Sequence, residues 1–288
     1  MTDSLQSSYA QNSSSQTSQD SAQNSDFSSN GPKIIAIVNQ KGGVGKTTTA
    51  VNLATGLAAS GVATLVIDLD PQGNASTGLG INRGNRKKDS YEVMLGDENI
   101  QAAIQKTLVP KLDIIPASVN LSGAEVELVS DPAREYRLSQ VLRPAKLPYQ
   151  FIFIDCPPSL GLLTLNALVA AHAVLVPLQC EFYALEGLSH LIRTIERVKR
   201  NLNPTLEIQG VVLTMYDRRN NLSDQVATDV RNYFGSKVYE TMIPRSVRVS
   251  ESPSFGKPVM LYDFQSAGAQ AYVYLASEVL KREGRIIP

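Results

Sequence analysis

The chain has 288 residues, 43% of them apolar, with 27 basic and 27 acidic side chains and a net charge of +0. That length suits one large α/β domain with a tail, and the balanced charge excludes attraction to nucleic acid by the whole-molecule field, leaving only a local patch. Cys156 and Cys180 lack the CxxC spacing of a zinc site and are too few for a disulfide framework, while no apolar run spans a bilayer and no basic-then-apolar leader opens the chain, so a soluble protein of the reducing cytoplasm is expected.

Residues 1–32 are dominated by Ser, Gln and Asn, with the isolated acids Asp3, Asp20 and Asp26. Such a stretch buries too little apolar surface to offset its ordering entropy, so it is predicted to be a disordered tail, and residues 33–288 the single folded domain. From Lys33 onward, short β-branched runs alternate with longer helical patterns. Strands are predicted at 33–38, 63–68, 112–116, 151–155, 173–178 and 208–215, all near-continuous apolar runs of the kind covered on both faces. Helices are predicted over 47–60, 184–202, 222–235 and 269–284, two of them ending at or near glycine. The alternation predicts a doubly wound, mostly parallel sheet with helices on both faces.

The first strand runs into "VNQKGGVGKTTTAVNL", residues 38–53. Strand, glycine-rich turn and helix follow in the order of a P-loop, although the pattern G-x-x-x-x-G-K-[ST] places its first glycine where this chain has Gln40. Gly42, Gly43 and Gly45 permit positive φ and close backbone approach, and amide groups around Val44, Gly45, Lys46, Thr47 and Thr48 cradle phosphate oxygens at a helix N-terminus. Lys46 is then the lysine for the β- and γ-phosphates of ATP, and Thr47 the hydroxyl for Mg²⁺. A second lysine, Lys41, stands five residues earlier; by residue type alone it is an unremarkable exposed lysine before two glycines.

"KGGVGKTT" resembles the deviant phosphate loop of the ParA/MinD superfamily of P-loop ATPases. The resemblance implies that Lys41 crosses a nucleotide-sandwich homodimer to the partner's ATP, a role suited to a mobile ammonium on a long stem. In "VIDLDPQGNAST", Asp68 and Asp70 occupy alternate positions at the end of a strand, so both carboxylates project from one face at the sheet's carboxyl edge. By the same resemblance Asp70 positions or activates the attacking water and Asp68 supports Mg²⁺, the alternative for Asp70 being a cap before Pro71. Asp155, closing "FIFID", matches the carboxylate that holds Mg²⁺ through water, and the segment to Gly161 matches the switch that responds to the γ-phosphate. Pro244 matches the family's base-contacting proline; Ser246 stands where relatives carry Asn, leaving a backbone contact to the base.

"LDPQGNAST", "MYDRRNNLSDQV" and "IPRSVRVSESPSFGKPV" are similar to the chromosome-partitioning ParA/Soj branch, the likeness running from about Lys33 to Lys281. Independently of it, ten basic residues from Arg193 to Arg248 crowd about one fifth of an otherwise neutral chain, a local footprint for phosphates. Arg219 and Arg248 fall on positions resembling the family's DNA-contacting arginines. No aromatic residues alternate with them and no recognition helix is evident, so binding to double-stranded DNA without sequence preference is expected. The resemblance further implies a ParB-like centromere-binding partner and nucleoid association. The rival readings are a MinD-like membrane-associated ATPase, a nitrogenase-type iron protein and a binding module with an inactive nucleotide site. The first needs a terminal basic amphipathic helix and the second needs cluster cysteines in other contexts.

Overall fold

Strand β1 (Lys33–Ile37) is flanked on one side by β5 (Phe151–Asp155) and on the other by β6 (Ala173–Gln179), which places the first strand of the chain at the middle of the sheet. Outward from β5 lie β2 (Thr64–Asp68), β4 (Leu112–Ile115) and the two-residue β3 (Gln105–Lys106); outward from β6 lies β7 (Glu207–Thr214). This computed structural model describes residues 31–181 and 184–284, and among them the strand order is β3-β4-β2-β5-β1-β6-β7. The tail expected at 1–32 lies outside the described residues apart from Gly31 and Pro32. All pairings are parallel except β3 with β4, an edge pair too short to leave a periodic signal in the sequence.

The apolar runs form central strands because both faces are covered. Every residue of β2, β4 and β5 is buried. On one face Ile35, Ile37, Phe151 and Phe153 pack under the first helix (Lys46–Ala59) and the C-terminal helix (Ala267–Arg282); on the other, Ile34, Ala36, Ile152 and Ile154 join a second cluster with Leu163, Leu188 and Ile195. The first and C-terminal helices approach closely at Gly56, where a Cβ would lie 2.8 Å from the Ala276 Cβ. The apolar stripe of the C-terminal helix, including Tyr272, Leu275, Ala276 and Val279, is buried in this contact. Among the described residues no helix is long and apolar enough to cross a membrane.

Topology decides where a ligand fits. The chain leaves β1 toward β2 on one side, whereas the neighbouring β5 connects past β1 to β6 on the other, so the crossovers diverge and open a crevice at the carboxyl ends of β1 and β5. Parallel register puts Asp155 opposite both Ile37 and Asp68, so all three strand ends finish at one level.

Candidate nucleotide site

The loop from β1 into the first helix is shaped by two glycines in the left-handed region, Gly43 at φ 76° and Gly45 at φ 90°. Gly42, expected to share that role, does not have positive φ, and a Cβ there would sit in ordinary contact with Pro158 Cβ at 4.0 Å, so neither backbone nor space demands glycine at this position. The loop is pinned from beneath. Thr214, ending β7, donates its hydroxyl hydrogen bond to the Val44 carbonyl at 2.8 Å. Asn39 donates to the Pro177 carbonyl at 2.8 Å while its Oδ1 accepts from the Lys41 backbone N–H at 3.0 Å. Gln40, the departure from the usual motif, donates to the Gly187 carbonyl at 3.1 Å and so ties the loop to the helix Ala184–Asn201. A glycine could not make that bond, which gives the missing glycine a structural reason.

The two lysines have opposite settings. Lys46 is buried at the N-terminus of the first helix, its Nζ donating to the Lys41 carbonyl at 3.0 Å. Burial pulls its pKa down, opposed first by the neighbouring Asp155 carboxylate. The Lys41 side chain is half exposed and forms an ion pair with Glu181, just beyond β6. Thr48 contributes its carbonyl to Asn52 Nδ2 at 2.9 Å, as the first helix begins.

Three acids stand at the same carboxyl edge, at the ends of β2 and β5 and just beyond β2. Asp68 is fully buried and both its oxygens are engaged: Oδ1 accepts from the Asp70 N–H at 3.1 Å, and Oδ2 from the Ser76 N–H at 2.8 Å and its hydroxyl at 2.7 Å. Burial raises its pKa to about 6 against those hydrogen bonds. Asp68 therefore acts on the loop that carries Asp70, whose Oδ1 in turn accepts from Gln72 N–H at 3.0 Å. Arg86 braces the same loop through the Thr77 hydroxyl and the carbonyls of Ile81 and Ala117. Asp155 is different: both of its oxygens are buried without a fully formed hydrogen bond, its charged form favoured only by the nearby Thr47 hydroxyl and Lys46. Burial and the neighbouring Asp68 charge push its pKa well up. A buried carboxylate with open lone pairs beside a hydroxyl is a donor set that fits a hard, hydrated cation such as Mg²⁺. Of the three residues expected at the metal, Thr47 and Asp155 have that character, whereas Asp68 already accepts three hydrogen bonds from its own loop.

Pro244 bridges to Tyr216 beyond the end of β7, with the Arg245 N–H donating to the Tyr216 carbonyl at 3.1 Å. Ser246 caps the short helix Val247–Glu251, its hydroxyl accepting a long bond from the Val249 N–H at 3.5 Å. Arg219 and Arg248 are both exposed and both paired with acids, and Arg219 lines the same cavity as Pro244.

A family model described as an AAA domain matches residues 32–208. The Chromosome partitioning protein ParA of Caulobacter vibrioides is 61% identical over 89% of this chain and 97% of its own length. The chain belongs to the ParA/Soj family of chromosome-partitioning ATPases. Within that family it is also 54% identical to the Sporulation initiation inhibitor protein Soj of Bacillus subtilis, over 86% of this chain and 98% of Soj. Among solved structures, Cobyrinic Acid a,c-diamide synthase from Mycobacterium smegmatis with bound ATP analog and magnesium superposes with a TM-score of 0.77 at 37% identity, covering 89% of this chain and 98% of that one.

Asn39, Gln40, Thr214, Ser76, Arg86 and Glu181 were not anticipated from the sequence. They position the site through contacts up to 170 residues apart, for which a linear pattern carries no signal.

Proposed function

We propose that this ParA/Soj ATPase binds Mg·ATP on the loop 41–48, pairs through Lys41 into a sandwich homodimer, holds duplex DNA without sequence preference, and releases it on hydrolysis. The observation that carries the reading is the contrast between Lys46, buried inside its own loop, and Lys41, exposed and turned outward to Glu181. One lysine suffices for the phosphates of the bound nucleotide; the other is free to serve a neighbouring subunit once it leaves Glu181.

Within one subunit, Lys46 and the amides of Gly43 to Thr48 hold the phosphate chain, and the helix N-terminus adds its dipole. Thr47 and Asp155 are the residues that would hold Mg²⁺, which supplies neutralisation of phosphate charge when bound. Binding a cation there also relieves the burial penalty of Asp155. Asp68 fixes the backbone of Asp70, so that the Asp70 carboxylate is aimed at the attacking water. Phosphoryl transfer depends chiefly on positioning and charge stabilisation, so Asp70 orients the water whether or not it takes the proton. The base of the nucleotide lies against Pro244 and the backbone at Ser246.

DNA binding rests on Arg219 and Arg248. If each subunit neutralises about three phosphates, pairing takes the slope of log affinity against log salt from about −2.7 to about −5.4. A single subunit is then a poor DNA binder, which makes ATP-dependent pairing the switch. A ParB-like centromere-binding protein is the partner that stimulates hydrolysis, and the place of action is the nucleoid in the cytoplasm. A MinD-like membrane role finds no support in the C-terminal helix, whose apolar stripe is covered by the first helix.

The test is phosphate release measured with duplex DNA and the candidate partner, separately and together. Synergy is expected; stimulation by anionic vesicles in place of DNA would replace this reading with the membrane one.

A further inference from the structure

The loop after β7 and the segment around Pro244 open onto a cavity of about 1030 Å³, whose lining includes Asp217, Arg218, Arg219 and Arg245 as well as Pro244, the residue proposed above to meet the nucleotide base. Arg219 closes a two-pronged grip on Asp217, Nε to Oδ1 at 3.0 Å and a terminal nitrogen to Oδ2 at 2.9 Å, and its backbone N–H adds a third bond to Oδ1 at 3.0 Å. The Arg219 hydrogen bonds, followed by the charges of Arg219 and Arg245, hold the Asp217 carboxyl at about 2. Arg218 and Arg245, which the family resemblance did not single out, are exposed and make no ion pair among the described residues.

A guanidinium presents to a carboxylate the same planar fork that it presents to a phosphate. Arg219 therefore meets Asp217 with the face that DNA requires. We propose that Asp217 is an internal competitor for the DNA phosphate, occupying the fork of Arg219 until a backbone phosphate displaces it. This inference rests on the DNA-binding reading above. Arg248 shows the same arrangement, with Glu251 at 3.2 Å and Asp263 at 3.3 Å. At each such arginine a phosphate replaces an anion already in place, so one contact contributes little. Several contacts engaged at once, as in a dimer, are needed before binding outweighs the exchange. Arg245, already beside Asp217, is placed to receive the displaced carboxylate.

Asp217→Asn removes the charge but keeps an Oδ1 acceptor for the Arg219 N–H, so the turn is preserved. The experiment is fluorescence anisotropy of a short mixed-sequence duplex with Mg·ATP across a salt series, for the parent, Asp217→Asn, Arg219→Ala and the double variant. Affinity of Asp217→Asn is expected to rise about three- to fivefold, the scale of an exposed ion pair, with the salt slope steeper by up to about 0.9. That gain should vanish when Arg219 is alanine. Unchanged or weaker binding by Asp217→Asn overturns the proposal, as does a full gain in the Arg219→Ala background, which would mark general repulsion. No duplex binding by the parent would overturn the DNA reading and this inference together, so the parent titration separates the two failures.

Discussion

Charged groups at the carboxyl edge of the sheet and charged groups on the arginine-bearing face follow different rules. At the edge, Lys46, Asp68 and Asp155 are buried and fixed by strand ends, a helix start and backbone donors. On the face, Arg219 and Arg248 are exposed and balanced by acids close in sequence or across a short helix. Buried charges are few, expensive to misplace and strongly coupled to chemistry; exposed ones are individually weak and act by number and by salt. The comparison teaches that the charges of the nucleotide site are fixed within one chain, whereas the exposed arginines are each balanced by an acid, the setting that the proposed pairing-dependent DNA binding would exploit.

The largest effect should come from the preorganised edge. Asp70→Ala is expected to slow phosphate release by about 10²- to 10⁴-fold while nucleotide affinity persists, because Asp68 and the phosphate loop remain. Loss of nucleotide binding instead would move Asp70 from chemistry to architecture. On the arginine face, Arg219→Glu reverses a charge and should weaken duplex binding by about ten- to a hundredfold at low salt, with the difference shrinking as salt rises. Equal affinity in the parent and this variant would remove the arginine from the DNA surface.

Smaller effects concern stability. Gly56→Val forces a branched side chain against Ala276 and Met260, and should cost about 1–3 kcal/mol, read as a lower denaturant midpoint at unchanged slope. Asp155→Asn should do the reverse. The folded pKa of Asp155 lies above its ordinary value of 3.8, so the native state binds more protons there and loses stability as pH rises past that value. Without Mg²⁺ and nucleotide, the asparagine variant should be more stable at neutral pH by about 1 kcal/mol, with a flatter dependence of midpoint on pH, while losing hydrolysis. A parent and variant that lose stability in parallel between pH 4 and 7 would show that Asp155 is not the group responsible.

The parallel sheet was legible because β1, β2, β4 and β5 bury both faces and so read as near-continuous apolar runs. The two-residue β3 and short helices such as Asn74–Gly78 and Ile100–Ala103 were not, since none is long enough to complete a periodic pattern. Within the site, the phosphate loop and the strand-end acids could be located from order and spacing, whereas the roles expected of the acids came from the family resemblance. The division of labour between Asp68 and Asp155 could not, because it depends on Ser76 turning back to take up one carboxylate and leaving the other open. The same holds for Arg219, whose residue type was visible but whose engagement with Asp217 was not.

The central claim is that two lysines imply two subunits, and titration of a fluorescent ATP analogue into Lys46→Ala and Lys41→Ala under conditions that keep the protein monomeric tests it most directly. Lys46→Ala should lose about tenfold to over a hundredfold in affinity, as expected for removing a charge-assisted donor worth about 1.5–3 kcal/mol. Lys41→Ala should bind nearly as the parent does, since its ammonium lies with Glu181 and not in its own loop. Equal loss in both variants would place the two lysines on the same nucleotide and contradict the account.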